Sequence, residues 1–347
     1  MSRQGMGEPC TKKLKGMGER DGVLETLLFC AWKRTDRRGY FKVDWHTLNL
    51  ETREISETLI TMPPEVGDGF SAVSCRNHVF VLGGACPMDP SCPDGKTRKI
   101  HSHDHVFCFD SDHPDHGWKK APPMSVPRWR PTAVAAEGKI YAFMGYDLAH
   151  FADIFDVSGS GWKLLTPPSD VDMGPLRLSY PVLFDSPRSR ILVHFGTHDF
   201  NGKYPLYAYY IDDESWQCLN EDFGPWPHGV ALVDGLFYCL LYPDVDRDLY
   251  CFSNQSCPLE VYDVVENKWL PAYWLSEFSV SVPDISGLYH LGNDHFCLAW
   301  YNTLLDHFQY TKISLHKNFG EIHATGLSES IITVPFQKAS VEIICIK

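Results

Sequence analysis

A unit of short strands between residues 130 and 168 constrains the fold of this chain more than any other feature. Four runs of β-forming or small residues make up the unit, at 132–136, 139–145, 152–156 and 161–165. Each run is bounded by Gly, Pro, Asp or Ser, as at the Glu137-Gly138 turn, so the pattern predicts four antiparallel strands. One such sheet cannot bury both of its faces alone.

The same unit recurs before and after this stretch. Runs that match its second strand occur at 78–84, 191–196 and 234–240, and runs that match its third strand occur at 106–110, 206–212 and 259–263. Self-similarity with a period of roughly 40 to 50 residues is the signature of a radial array of four-stranded sheets. The sequence therefore predicts a ring of sheets that bury their faces against one another.

An Asp at the end of the third strand and a Trp that opens the fourth strand accompany each copy. These pairs are Asp110 and Trp118, Asp156 and Trp162, Asp212 and Trp216, and Asp263 and Trp269. Gly83-Gly84 is the one complete double glycine at the end of a second strand. A strand ending in Gly-Gly, then aromatic-Asp, then Trp resembles the kelch repeat, over about residues 67–272. The resemblance implies a β-propeller, in which we expect each Trp to fill the gap between neighbouring sheets.

Both ends of the chain indicate how the ring closes. Residues 25–32 and 40–50 match the second and third strands of a first blade that lacks its innermost strand, while segments 331–334 and 341–346 remain to be placed. We predict that a C-terminal strand completes the first blade, which leaves no free sheet edge. The predicted fold is all-β: a six-bladed kelch-type β-propeller of four-stranded antiparallel blades. Blade boundaries are expected near residues 65, 125, 170, 224 and 275, with a flexible tail at 1–20 and the propeller at 21–347.

Composition narrows the partners and the compartment. A net charge of -13 and a pI near 5.6 argue against nucleic acid as the main partner. The first twenty residues have no apolar core, and no later stretch has eighteen uninterrupted apolar residues. We therefore expect neither a signal peptide nor a membrane span. The expected location is the cytoplasm or the nucleus. The twelve cysteines include no Cys-x2-Cys pair, which argues against a structural zinc site of the usual spacing.

Function is expected in the loops between second and third strands and in the linkers between blades, which emerge on one face of a propeller and vary most here. The segments concerned are 85–105, 146–151, 197–205, 242–258, 122–131, 222–228 and 272–282. Trp, Tyr and Arg often anchor protein interfaces, because they bury much area at modest entropic cost. The predicted partner-binding residues are Arg128, Trp129, Arg130, Tyr146, His150, His198, Phe200, Tyr204, Trp226, His228, Tyr242, Arg247, Tyr273 and Trp274.

Histidines in the second blade offer a separate candidate site. His101, His103 and His105 alternate, so in an extended segment they point to one side, and His113 and His116 follow the next strand. Imidazoles so arranged can bind zinc, copper or nickel. Because the segment is hydrophilic and has no evident carboxylate or thiolate to complete a ligand set, a solvated loop is favoured and no cofactor is predicted.

Two families of propeller enzymes supply the enzymatic alternative. Plant kelch proteins that redirect glucosinolate breakdown hold iron through Glu-x3-Asp-x3-His, but here Cys108 stands where the Glu belongs, ahead of Asp112 and His116. The Tyr, Tyr, His, His set of copper-radical oxidases is not identifiable. A small-molecule binder or metal-assisted lyase in the channel mouth would use some of His198, His228, Asp244 and the histidine-rich loop.

The end of the chain adds one further resemblance. Residues 309–315 and 320–324 are similar to the closing strands of plant kelch proteins, many of which carry an N-terminal F-box. A helical F-box of roughly 40 residues is not expected here, because the first strand begins by about residue 23. We therefore predict a kelch-repeat binding module for another protein, related to the substrate-recognition half of ubiquitin-ligase adaptors. A small-molecule ligand remains the alternative.

Overall fold

The computed structural model describes sixteen segments of the chain. They are residues 19–20, 23–24, 26–34, 41–86, 101–145, 150–159, 161–171, 177–196, 204–224, 229–240, 250–252, 259–275, 278–280, 285–302, 307–333 and 342–345. Nearly all of these residues are strand or turn, with single 3-10 turns at Pro114–His116 and Ser186–Arg188. None of the helices in this described part has the length and apolar character needed to cross a membrane.

The described residues contain thirty strands. A short hairpin of β1 (Glu19–Arg20) and β2 (Val23–Leu24) comes first. The first blade follows with β3 (Thr26–Arg34), β4 (Phe41–Asn49) and β5 (Ile60–Thr61). The second blade has β6 (Asp68–Cys75), β7 (His78–Cys86), β8 (His101–Ser102), β9 (Val106–Asp110) and β10 (Lys119–Ala121). The third has β11 (Thr132–Ala136), β12 (Lys139–Phe143), β13 (Ala152–Asp156) and β14 (Trp162–Leu165).

The second half of the chain repeats this order. The fourth blade has β15 (Arg177–Asp185), β16 (Arg190–Gly196), β17 (Leu206–Tyr210) and β18 (Ser215–Asn220). The fifth blade has β19 (Gly229–Val233), β20 (Leu236–Leu240), β22 (Leu259–Asp263) and β23 (Lys268–Leu270), and β21 (Tyr250–Phe252) lies between β20 and β22 in the chain. Next come β24 (Ala272–Trp274) and β25 (Phe278–Val280). The sixth blade contains β24 together with β26 (Ile285–Gly292), β27 (His295–Asn302), β28 (His307–Asn318) and β29 (Glu321–Thr333). Strand β30 (Glu342–Cys345) follows.

Six sheets form a closed ring. Their innermost strands are β30, β6, β11, β15, β19 and β26, which contact one another in this order, and β26 contacts β30. The predicted all-β propeller with six blades is confirmed. Four predicted boundaries lie between the blades, but the fifth falls one strand late, because β24 already pairs in parallel with β29 at the outer edge of the sixth blade. Separately, β21, which lies between β20 and β22 in the chain, pairs with β25 in a two-stranded sheet outside the fifth blade.

The C-terminal strand closes the ring as predicted. Strand β30 pairs antiparallel with β3, from Leu27 opposite Cys345 to Cys30 opposite Glu342. Residues 331–333, which the sequence left unplaced, extend β29 instead of forming a strand of their own. The first blade therefore combines strands from both ends of the chain.

Apolar clusters between neighbouring blades form the core. The described residues contain six such clusters, one at each interface between two blades. Alternation along a strand supplies both faces: on β3, Leu27 and Phe29 pack towards the sixth blade, whereas Leu28 and Cys30 pack towards the second. Each sheet is thus covered on both sides by its neighbours.

The repeated tryptophans link each blade to the one before it. Their indole N–H groups donate to backbone carbonyl oxygens of the preceding blade: Trp118 to Thr61 at 2.8 Å, Trp162 to Pro122 at 2.8 Å, and Trp216 to Thr166 at 2.9 Å. Trp269 in the fifth blade is 39% exposed and stacks on Phe223, with ring centroids 5.0 Å apart. The repeat motif therefore places a ring between sheets, and in three blades a hydrogen bond also crosses the interface.

Substitution of Trp162 measures the strength of this link. Trp162→Phe keeps a ring beside Phe155 but removes the bond to Pro122, and we expect the free energy of unfolding to fall by about 1 kcal/mol. Trp162→Ala also removes the packing, and a loss of about 3 kcal/mol is expected. Urea denaturation of both variants gives the two values. Equal losses would show that the hydrogen bond, and not the packing, carries the whole effect.

Candidate functional site

Topology assigns the connections to two faces. In a four-stranded antiparallel blade, the loops between second and third strands share one face with the linkers to the next blade. We call this the linker face; its described segments include 62–67, 101–105, 122–131, 144–145, 150–151, 166–171, 204–205 and 221–224. The opposite turn face carries the turns that join the first strand to the second and the third strand to the fourth.

Half of the fourteen predicted contact residues can be placed. Arg128, Trp129, Arg130, His150, Tyr204, Tyr273 and Trp274 are described. The other seven lie outside the described residues: Tyr146, His198, Phe200, Trp226, His228, Tyr242 and Arg247. His198, His228 and Asp244 of the alternative channel-mouth site lie outside them as well.

Arg128, one of the predicted partner contacts, is buried in the structure. Its side chain is 1% exposed, and Nη2 pairs with Oδ2 of Asp153 at 3.0 Å. Nη1 donates to the carbonyl oxygen of His150 at 3.1 Å. Arg128 therefore ties the linker between the second and third blades to the third blade, and it offers no surface to a partner.

Glycines let this linker pass close to two strands. The amide of Gly84 donates to the Arg128 carbonyl at 2.9 Å, and a side chain at Gly83 would place its Cβ 2.4 Å from the same oxygen. At Gly145, a Cβ would lie 2.1 Å from the carbonyl oxygen of Trp129. The double glycine of the repeat is thus required by the close approach of the linker backbone.

Trp129 and Arg130 follow the anchor and form a fixed pair. The Arg130 guanidinium lies over the Trp129 ring, 5.2 Å from its centroid. Arg130 has a φ of 54°, and its amide donates to the carbonyl of Gly69 at 2.6 Å. Trp129 is half-buried and Arg130 is exposed. An aromatic ring and a cation are therefore held together on the linker face.

Two histidines lie beside this pair. His150 is exposed, and its carbonyl accepts the bond from Arg128. His103 is half-buried, and its carbonyl accepts from the Arg128 amide at 2.9 Å. We call His103, Arg128, Trp129, Arg130 and His150 the Arg128 cluster. Trp129, Arg130 and His150 are predicted contact residues that keep exposed surface. His103 is one of the predicted metal candidates.

The remaining described residues lie elsewhere. Tyr204 is half-buried in the fourth blade, where its carbonyl accepts from the Phe223 amide at 2.9 Å. Tyr273 and Trp274 lie on β24, along the outer edge of the sixth blade instead of in a loop. Tyr273 is 43% exposed, whereas Trp274 is 1% exposed and packs in the core between the fifth and sixth blades.

The predicted histidine row is only partly assembled. The rings of His103 and His105 stack with centroids 5.1 Å apart, so they do share a side, while the His101 side chain lies outside the described part. Cys108 pairs with Lys119 within the sheet, and the Asp112 carboxylate accepts from Asn77 at 2.7 Å. In the described part of the chain, none of these side chains belongs to a group of three potential ligands within 4.8 Å of one another.

Sequence reasoning missed two buried polar residues near this face. Asp153, which is fully buried, holds Arg128; the signal was a carboxylate in the middle of an apolar strand. His194 is fully buried beside Tyr204 and Phe223. Burial lowers the pKa of His194 to about 4, and its hydrogen bonds with the backbone of Gly224 and Tyr204 offset only part of this effect.

A double-mutant cycle tests the buried ion pair. Arg128→Met leaves the Asp153 carboxylate buried without its cation, so we expect the free energy of unfolding to fall by about 3 to 5 kcal/mol. Arg128→Met combined with Asp153→Leu should recover most of that loss, because no buried charge remains. Urea denaturation of the single and double variants provides the measurement. Losses that simply add would contradict the pairing.

The buried histidine predicts a pH dependence of stability. Because the folded pKa of His194 is about 4 and the unfolded value is about 6.5, the unfolded state binds the extra proton between these values. Stability should therefore fall on acidification from pH 6.5, by about 3 kcal/mol at pH 4. His194→Gln should lack this component. Denaturation of both proteins across this range isolates it, and parallel curves would refute the assignment.

Comparison with known proteins agrees with the repeat motif. No family model matches the chain. A putative F-box/kelch-repeat protein of Arabidopsis thaliana is 26% identical over 170 residues, which cover 48% of this chain and 50% of that protein. A second putative F-box/kelch-repeat protein of the same plant is 27% identical over 157 residues, 44% of this chain and 35% of that protein.

A third relative matches a similar share of the chain. This F-box/kelch-repeat protein, also from Arabidopsis thaliana, is 25% identical over 172 residues, covering 48% of this chain and 36% of its own length. The chain thus spans half or less of the length of these curated relatives. The predicted resemblance to plant kelch proteins is confirmed. This chain is a six-bladed β-propeller whose homologues are plant F-box/kelch-repeat proteins.

Proposed function

We propose that the chain recognises another protein through its linker face, with Trp129 and Arg130 at the centre of the contact. The observation that carries this proposal is the fixed Trp129–Arg130 pair, 5.2 Å from ring centroid to guanidinium, directly after a buried anchor. Trp and Arg are the residue types most enriched at interface hot spots. Side chains already held in place lose less conformational entropy when a partner binds.

The chemistry of the pair defines the partner surface. Arg130 is exposed and carries a guanidinium that can donate two parallel hydrogen bonds to a carboxylate. The Trp129 ring beside it favours an apolar or aromatic side chain. The partner we propose therefore presents an acidic residue next to an apolar one.

The fold and the homologues support a protein-interaction module of this kind. Loops on a rigid scaffold are the usual place for binding residues, and the homologues are F-box/kelch-repeat proteins. We extend the proposed face to the other residues that the sequence predicts in loops of this side: Tyr146, His150, His198, Phe200, Tyr204, Trp226, His228, Tyr242 and Arg247. We further propose that an F-box/kelch-repeat relative binds the same partner protein. In this finer proposal, the relative binds that partner as a ubiquitin-ligase adaptor binds its substrate.

Affinity capture with matched variants tests the function. Proteins captured from plant extract by the wild type are identified by mass spectrometry, and the dissociation constant of each is then measured with purified components. Trp129→Ala/Arg130→Ala should weaken a true partner at least ~30-fold, the effect of losing one hot spot of 2 kcal/mol. The control Lys163→Ala/Glu214→Ala removes an exposed ion pair of 2.9 Å outside the linker face and should change little.

The opposite pattern overturns the proposal. A partner that ignores the Trp129 and Arg130 substitutions but is lost with the control would bind a different surface. For the finer proposal, the same partner is tested against the kelch-repeat domain of an F-box relative. Competition between the two propellers supports it, and simultaneous binding refutes it.

A further inference from the structure

The turn face carries a second cluster, in the connection between β9 and β10 of the second blade. His113, Asp115 and His116 each offer one potential ligand atom, and these atoms all lie within 4.8 Å of one another. The two imidazole rings stack with centroids 5.1 Å apart and an angle of 24° between their planes. Two imidazole nitrogens and a carboxylate oxygen are thus directed to one place.

The backbone that carries these side chains is fastened on both sides. A 3-10 turn at Pro114–His116 is closed by bonds from His116 N to the His113 carbonyl at 3.0 Å and from Gly117 N to the Pro114 carbonyl at 3.1 Å. Pro114 is buried under the turn. Before it, the Ser111 hydroxyl donates to the Asn77 carbonyl at 2.9 Å. The three side chains therefore extend from a fixed loop.

The charge around the cluster favours a cation. Asp112 and Asp115 lie within this connection and Asp110 ends β9 directly before it, in a chain whose net charge is -13. The Asp112 carboxylate already accepts from Asn77 at 2.7 Å, so Asp115 is the carboxylate that completes the group with the two histidines. Asp115 and His116 are exposed, which leaves the site accessible from solvent.

We propose that His113, Asp115 and His116 bind one divalent first-row transition metal ion such as Zn²⁺. Imidazole suits these ions, and a carboxylate completes a three-ligand set with open positions for water. Tetrahedral Zn–N and Zn–O bonds of about 2.0–2.1 Å need ligand atoms about 3.3 Å apart, so small side-chain rotations would bring the group from 4.8 Å to binding geometry. Mg²⁺ and Ca²⁺ should bind poorly, because they prefer six or more oxygen ligands.

The second blade supplies a matched control. His103 and His105 stack at the same centroid distance of 5.1 Å on the opposite face. In the described part of the chain this pair belongs to no group of three potential ligands. Two stacked histidine pairs in one blade thus differ in whether a carboxylate joins them.

Zn²⁺ titration of the untagged full-length protein tests the site. Isothermal titration calorimetry and elemental analysis should give one ion bound at this site in the wild type and in His103→Ala/His105→Ala, but none there in His113→Ala/His116→Ala. Asp115→Asn nearly preserves side-chain shape and should weaken binding about tenfold or more, because an amide oxygen is a weaker ligand than a carboxylate. This variant also tests the site if the double-alanine protein does not fold.

X-ray absorption of the loaded protein separates this site from the twelve cysteines. Nitrogen and oxygen ligands at about 2.0–2.1 Å are expected, whereas thiolates would appear at about 2.3 Å. The proposal would be overturned if the ion that is lost in His113→Ala/His116→Ala had sulfur ligands. Metal that disappears only in the His103 and His105 variant, or an equal amount of metal in all four proteins, would also overturn it.

Discussion

Each blade of this propeller has two apolar faces, and only the neighbouring blades cover them. On β3, side chains alternate between the cluster shared with the sixth blade, which includes Leu27 and Phe29, and the cluster shared with the second, which includes Leu28 and Cys30. An open row of blades would leave a terminal face exposed at each end. The pairing of β30 with β3 removes both ends at once, because a strand from the C-terminus completes the blade that the N-terminus begins. Closure therefore buries the cluster between the first and sixth blades, the one interface that an open row would lack.

Closure of the ring also decides where the linkers run, and this determines the candidate binding site. Between the second and third blades the linker passes so close to Gly83 and Gly145 that neither position has room for a side chain. The buried pair of Arg128 and Asp153 then fixes the linker in place. A buried ion pair contributes little net stability compared with apolar packing. Its presence here is better explained by the single position in which it holds the linker. The residue that follows, Trp129, inherits a defined orientation from it.

The repeats made strands and most blade boundaries predictable, because every copy carries the same local signals. Counting strands even predicted the closing role of the C-terminus. Side-chain roles in the linkers were harder to predict, since Arg128 looks the same in sequence whether it faces a partner or Asp153, 25 residues away on β13. The burial of Trp274 has a similar cause: its segment becomes β24 only by parallel pairing with β29, which lies about 50 residues later in the chain. Local patterns do not encode such non-local partners.

The Asp and Trp of the repeat explain how one turn of the turn face could acquire a new role. Asp110 Oδ1 accepts the amide of Asp112 at 2.9 Å, which closes the start of the turn. The same bond recurs in two other blades, at Asp156 with Ser158 and at Asp263 with Val265. At the other end, Trp118 is held by its bond to Thr61 of the preceding blade.

Because both ends are fixed by the repeat, the residues between them can vary without loss of the fold. In the second blade this interval is the longest of the four Asp-to-Trp connections, and its extra residues include the Pro114–His116 turn. The histidine and aspartate side chains of the proposed site lie in this longer interval, between two ends that the repeat already fixes.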